Sequence, residues 1–227
     1  MKNATVPRTI QLKTLRMRKS ESVLSRYVPE SSLVLLMPLL KEDPIELKIK
    51  KPRRTKFGDY RLPKKGERHQ ISINNNLNPF AFLITLLHEI AHLKAFVEYG
   101  NKIKPHGKEW QSTFLKISQP FLDQNIFPKD LAIILENSLK KGGASSCTDL
   151  DLFRELQKFE DSSKIPVEEL EEGSIFRADN NKIFKKGPKA RKRYKCVCLD
   201  NGKDYLVHPL AKAELIETIK QELSARS

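Results

Sequence analysis

Three residues near the middle of the chain, His88, Glu89 and His92, have the types and spacing of a metal-dependent hydrolytic site. They form the pattern His-Glu-x-x-His, in which two histidines stand four residues apart. On an α-helix this spacing places both imidazoles on one face, about 6 Å apart along the axis, where two nitrogens can converge on one Zn²⁺. Glu89 projects about 100° away around the helix, so we expect it to stay unligated and to take a proton from bound water.

A catalytic zinc site needs a third protein ligand and leaves its fourth position to water. His106 is the preferred candidate, because Gly107 permits the close backbone approach that a loop folded over the metal helix requires. Glu98 and Glu109 remain alternatives, since a carboxylate completes the site in other zinc hydrolases.

A long apolar helix at residues 78–99 is predicted to carry the motif. Asn78 is a favoured N-cap, Pro79 suits the first helical position, and Gly100 falls where a helix commonly ends. Apolar residues occur almost all round this segment, which indicates that the helix is buried in a core. Burying unpartnered His and Glu side chains costs several kcal/mol, so their presence there favours a functional role.

Shorter elements are predicted on either side of this helix, and together they indicate the α+β class. Strands are expected at 45–49, at 53–61 with a turn at Gly58, and at 69–74. Helices are expected at 20–28, 31–41, 108–118, 129–140 and 149–159. Short alternating runs at 174–177, 182–186, 192–198 and 203–207, with Asn-Asn and Asn-Gly turns, predict a small β-domain. The predicted division is a basic arm at 1–19, a metal-binding domain at 20–143, a linker and helix at 144–164, a small β-domain at 165–215 and a tail at 216–227.

The segment His88–His92 and the downstream His106–Trp110, together with the basic strand before them, resemble the SprT-like (Spartan-related) metalloprotease family over roughly residues 20–120. The resemblance implies a minimal zincin-like domain, with zinc on His88, His92 and His106 and with Glu89 as general base. It also implies that the substrates are proteins bound or crosslinked to DNA, that DNA activates cleavage, and that the protein acts in DNA repair.

The cysteines depart from this family's pattern. Many SprT-like proteins carry a zinc ribbon with two Cys-x-x-Cys pairs, whereas this chain has only Cys147 and the Cys196-Val197-Cys198 pair. Three thiols in that spacing do not match a four-ligand structural site, although His208 could complete one. We interpret His208, like His69, as structural, and the small β-domain as replacing the ribbon.

The net charge of +14, from 42 Lys+Arg against 28 Asp+Glu, favours a polyanionic partner such as DNA. One basic cluster covers residues 45–68. A second, at 182–195, has eight cations and no acid, and its aromatic residues Phe184 and Tyr194 could stack on bases. The alternative is that both clusters are solvated strand faces. The predicted nucleic-acid contacts are Lys185, Lys186, Lys189, Arg191, Lys192, Arg193 and Tyr194.

The sequence therefore predicts a zinc metallopeptidase that acts on DNA-associated proteins. The alternative is a nucleic-acid-binding or transcription-linked protein in which zinc only stabilises the fold, and Glu89 argues against it because a structural site needs no unligated buried carboxylate. The first residues are charged throughout and lack an apolar signal region, and the few cysteines suit a reducing compartment, so we expect a cytoplasmic protein without membrane contact.

Overall fold

The computed structural model describes residues 21–53, 56–64, 66–142, 149–160 and 164–217. The chain divides into two compact units, residues 1–160 and 161–227. The first combines helices with a three-stranded sheet and the second contains a six-stranded sheet, so the predicted α+β class is confirmed. The predicted basic arm at 1–19 and the linker residues 144–148 lie outside the described residues.

The helices of the first unit surround one long apolar helix. That helix, α2, begins after Asn78, whose side chain accepts a hydrogen bond from the Ala81 N–H at 2.9 Å, and it ends at Gly100 with a φ of 73°. Both caps are as predicted. Helix α2 is apolar enough to cross a membrane, but 67% of its apolar window is buried inside the unit, because it is the core helix. The bounds are α1 (Leu33–Glu42), α2 (Pro79–Tyr99), α3 (Lys108–Asp123), α4 (Lys129–Lys140) and α5 (Leu150–Gln157).

A small mixed sheet packs against α2. Its strands are β1 (Ile45–Lys50), β2 (Gly58–Arg61) and β3 (His69–Asn74), with β3 in the centre, parallel to β1 and antiparallel to β2. Ile71 and Ile73 are fully buried on the inner face. The prediction for β2 was partly wrong, because the strand begins at Gly58 instead of turning there. The Arg53 guanidinium binds Asn74, Ser72 and the Phe57 carbonyl.

The second unit is an antiparallel sheet with the strand order β4-β9-β5-β6-β7-β8. Its strands are β4 (Ile165–Pro166), β5 (Ile175–Ala178), β6 (Ile183–Ala190), β7 (Arg193–Cys198), β8 (Asp204–Val207) and β9 (Lys212–Glu217). Strands β5 to β8 correspond to the predicted runs, whereas β4 and β9 were not predicted. The sequence of β9, Lys-Ala-Glu-Leu-Ile-Glu, is rich in residues that favour helices, and pairing with β4 and β5 overrides that preference.

Candidate metal centre

The structure brings the imidazoles of His88, His92 and His106 together. Their Nε2 atoms lie 3.2 Å (His88–His92), 3.0 Å (His92–His106) and 3.1 Å (His88–His106) apart. Nitrogens that share a tetrahedral Zn²⁺ at about 2.1 Å are separated by about 3.4 Å. The three donor atoms therefore fit a single metal ion, and His106 is the third member of the cluster, as preferred from the sequence.

A strained turn holds His106 over the metal helix. The residue has a φ of 59°, in the left-handed region that side chains rarely adopt. The Gly107 N–H donates to the Lys104 carbonyl at 2.8 Å, and a Cβ on Gly107 would lie only 2.9 Å from that oxygen. The Gln111 side-chain amide donates to the His106 carbonyl at 2.9 Å, which ties the turn to α3. Gly107 thus has the close-approach role that the sequence indicated.

Trp110 is the residue whose role sequence reasoning missed. It was identified only as part of an apolar helix face and of the downstream motif, yet its indole is 1% exposed and contacts all three histidines. The ring centroids lie 4.7 Å from His88, 5.1 Å from His92 and 4.7 Å from His106. Its position in the first turn of α3, four residues after His106, was the available signal. Packing of this kind limits the rotation of imidazoles and so orients their nitrogens.

The electrostatics suit neutral, ligating imidazoles. Burial, and secondarily the neighbouring His106, lower the pKa of His92 to about 4. Burial also lowers the pKa of His106. Both side chains are therefore neutral at pH 7, the form in which an imidazole nitrogen offers a lone pair to a metal.

Glu89 lies beside the cluster without belonging to it. Its side chain is 6% exposed, and burial, reinforced by the charge of Asp59, raises its pKa to about 8 against the opposing effects of Arg53 and the Tyr60 N–H. Gly58 makes room for it, because a Cβ there would lie 2.3 Å from a carboxyl oxygen of Glu89. A buried carboxyl that is held beside a cluster of potential metal ligands, and is not one of them, is suited to proton transfer.

The remaining candidates for ligands lie apart from the cluster. Glu98 and Glu109 are exposed, and the group of possible ligands found among the described residues consists of the three histidines. His69 is buried with its Nδ1 at 2.9 Å from the Tyr60 hydroxyl, and His208 Nδ1 accepts from a backbone N–H two residues on. The interpretation of both residues as structural stays a prediction.

Tyr60 links the sheet to the metal helix. Its ring is parallel to that of His92 with the centroids 6.4 Å apart, and its hydroxyl contacts His69. Burial and the charge of Asp43 raise the pKa of Tyr60 to about 12, so the phenol stays neutral. Strand β2 thus approaches the site through Tyr60 as well as through Gly58.

Two of the side chains expected to contact nucleic acid are buried. Phe184 is 4% exposed and stacks on Phe176 with the centroids 5.7 Å apart, so it cannot stack on bases. Lys186 is 5% exposed and donates to the Leu170 and Glu168 carbonyls. These two expectations were wrong, because both side chains point from β6 into the second core.

The other predicted contacts remain on the surface of the second unit. The ring of Tyr194 is half-buried, with Lys186 Nζ 4.1 Å from its centroid, so one part of its π-face is covered. The five other predicted contacts are exposed cations: Lys185, Lys189, Arg191, Lys192 and Arg193. Their role in binding stays a prediction.

The two cysteines of the Cys-x-Cys pair are core residues of the second unit. Cys196 and Cys198 are free thiols with 0% exposure, and burial raises the pKa of Cys196. Alternate positions on β7 place both on its buried face. Cys147 lies outside the described residues.

Comparison with known proteins identifies the same segment. Residues 31–130, which contain both histidine motifs, match the model of the SprT-like family. The curated Protein SprT of Shewanella oneidensis is 54% identical over 41 residues, which are 18% of this chain and 26% of that protein. The chain thus matches about a quarter of the length of this relative. No solved structure matches the chain.

Proposed function

Because residues 31–130 make this chain a member of the SprT-like family, we propose that it is a zinc-dependent metallopeptidase. One observation carries the proposal: three imidazole nitrogens converge within 3.2 Å of one another beside a buried carboxyl group that is not one of the ligands. A purely structural site uses its fourth position for a further protein ligand, whereas a catalytic one leaves it open.

The side chains divide the chemistry among them. Bound by the three histidines, Zn²⁺ would polarise a water molecule and the scissile carbonyl. The positive charge of the bound ion would lower the pKa of Glu89, so that its carboxylate could accept the proton of the attacking water and deliver it to the leaving amine. Trp110 and the turn at His106 hold the imidazoles in position, and Gly58 leaves space for the Glu89 carboxyl. In this interpretation α2 and the three-stranded sheet form a minimal zincin-like domain.

The substrate is proposed to bind as an extended strand along β2. Within the described residues β2 pairs with β3 alone, so backbone groups on its other edge could pair with a peptide, apart from the Tyr60 N–H, which already donates to Glu89. The inner side of the same strand contacts Glu89 through Gly58, which brings a peptide on this edge close to the general base. Proteins bound or crosslinked to DNA are the proposed substrates, and the net charge of +14 supports a nucleic-acid partner.

The proposal is tested with Glu89→Gln, which keeps the shape of the side chain and removes its basicity. We expect unchanged zinc content by elemental analysis, and a loss of about 10²-fold or more in cleavage of a DNA-bound protein, assayed with and without DNA. Glu98→Gln, at an exposed position of the same helix, is the matched control and should cleave normally.

Two outcomes would contradict the peptidase assignment. One is full activity of Glu89→Gln, which would show that Glu89 is not the general base. The other is a zinc-loaded wild-type protein that cleaves neither itself nor any DNA-bound protein, which would favour the non-enzymatic alternative.

A further inference from the structure

A basic cleft lies on the face of the three-stranded sheet that is turned away from α2. Side chains alternate between the two faces of a strand, so the buried Ile71 and Ile73 define the inner face and Gln70 and Ser72 the outer one. The register places Lys48 and Asp59 beside Ser72, on the outer face. A cleft of about 580 Å³ runs over this face.

The lining of the cleft is strongly cationic. It contains Lys48, Lys50, Lys51, Arg53 and Arg61, and its one acidic residue is Asp59. That carboxylate already binds Lys56 at 2.6 Å and Arg61 at 2.8 Å, so its charge is neutralised locally. Lys50 and Lys51 are exposed at the mouth. The cleft therefore presents a net positive charge to solvent.

The Arg53 side chain is held in a fixed position within the lining of the cleft. Its guanidinium donates to Asn74 Oδ1 at 2.8 Å, to Ser72 Oγ at 3.0 Å, and to the Phe57 and Ser72 carbonyls at 3.2 and 3.1 Å. These four bonds involve uncharged acceptors, so they hold the cation in place without neutralising it. An anion in the cleft would meet a charge that is ordered before it binds, which lowers the entropic cost of binding.

We propose that this cleft binds the phosphodiester backbone of nucleic acid. Lys48 and Lys50 stand two residues apart on one strand, about 6.6 Å between Cα atoms, a spacing that suits successive phosphates of an extended chain. Lys48 forms an ion pair with Glu46 at 3.0 Å, so a phosphate at this position would compete with that carboxylate. The lining has no aromatic side chain, so bases cannot stack there and contacts to the backbone are the ones available. Its one apolar residue is Pro52, whereas a protein partner needs an apolar centre to bind against.

The cleft and the metal centre lie on opposite sides of β2. Asp59 and Arg61 face the cleft, while Gly58 and Tyr60 face α2. Nucleic acid in the cleft would leave the inner side of this strand free. The proposal does not rest on the peptidase function, because binding requires neither zinc nor Glu89.

The test is a titration of the full chain with a short DNA duplex and with a single strand of the same length, at several salt concentrations. Lys50→Gln/Lys51→Gln is compared with Lys116→Gln/Lys129→Gln, which removes the same charge from exposed positions on α3 and α4. We expect the cleft variant to lose on the order of tenfold in affinity for both DNA forms at 0.1 M salt, and its log–log salt slope to become shallower by about two units. The control should change less than about twofold at the same salt, since it removes no phosphate contact.

Protection of lysines from acetylation, read by mass spectrometry, provides a second measurement that does not depend on substitution. DNA should protect Lys48, Lys50 and Lys51 and leave Lys116 and Lys129 reactive. Equal losses in the two variants, or no protection in the cleft, would overturn the proposal. A cleft variant that loses affinity only for a poly-glutamate peptide or for anionic phospholipid vesicles would overturn it in favour of those partners.

Discussion

Reactive or charged side chains are concentrated in two regions of the sequence, helix α2 and the basic hairpin β6–β7. The two regions differ in whether the fold brings those side chains together. On α2, the two histidines selected by spacing share one site, with their Nε2 atoms 3.2 Å apart. On the hairpin, the residues selected by composition separate, since Lys185 is exposed and its neighbour Lys186 is buried. The spacing of residues within a helix fixes the directions in which their side chains point relative to one another. The number of charges in a segment does not.

The alternation of side chains along a strand was the signal that could have distinguished the buried side chains of the hairpin from the exposed ones. Phe184 and Lys186 are two residues apart on β6, so they must share a face, and a face that carries Phe in a small sheet is the buried one. Cys196 pairs with Lys186 across the strands and is also buried. Lys186 is accommodated there because its ammonium reaches two backbone carbonyls.

The largest expected effect comes from removing a ligand, for example with His92→Ala. The affinity for zinc should fall by well over about 100-fold, the upper range for substitutions that merely support a ligand, and cleavage should fall with it. Elemental analysis and a zinc competition assay measure the loss. His208→Ala in the second unit is the control and should bind zinc normally. Full zinc occupancy in His106→Ala would contradict His106 as the third ligand and would favour Glu98 or Glu109 in that role.

The second-largest expected effect tests the general base independently of the metal ligands. A methyl group at Gly58 would lie 2.3 Å from the Glu89 carboxyl and 2.8 Å from Thr85 Cγ2, so Gly58→Ala must displace the carboxyl. We expect zinc to remain bound and kcat to fall by about 10²-fold, since a displacement of about 1 Å can have that effect. Unchanged kcat in a zinc-loaded Gly58→Ala protein would show that Glu89 need not occupy this position.

The sequence predicted local features well and long-range ones poorly. The caps of α2 and the pairing of His88 with His92 follow from residues close in the chain, and they are confirmed. The preference for His106 agrees with the cluster, but Gly107 gave only a hint of the turn that positions it. The contact of Gly58 with Glu89 joins residues 31 positions apart, and β9 takes its conformation from its neighbours in the sheet. No local pattern encodes either.

A third prediction tests the buried lysine of the hairpin. Lys186→Met keeps an unbranched side chain of similar length but leaves the Leu170 and Glu168 carbonyls without their ammonium donor. We expect the free energy of unfolding of the second unit to fall by about 1–3 kcal/mol. Lys185→Met, one residue away on the exposed face, is the matched control and should change it by less than about 0.5 kcal/mol. Denaturant titration measures both, and equal destabilisation would contradict the buried role of Lys186.

The smallest expected effect concerns the exposed end of the hairpin, where Arg191, Lys192 and Arg193 were predicted to contact phosphates. Lys192→Gln should make the log–log salt slope of DNA binding shallower by about one unit and weaken all sequences alike, because one released counterion is lost with each phosphate contact. Lys203→Gln, in the turn before β8, removes the same charge and is the control. Titrations of both variants at several salt concentrations provide the measurement. If they share the wild-type slope while the cleft variant Lys50→Gln/Lys51→Gln does not, the hairpin is a solvated surface, and the contact with nucleic acid belongs to the sheet of the first unit.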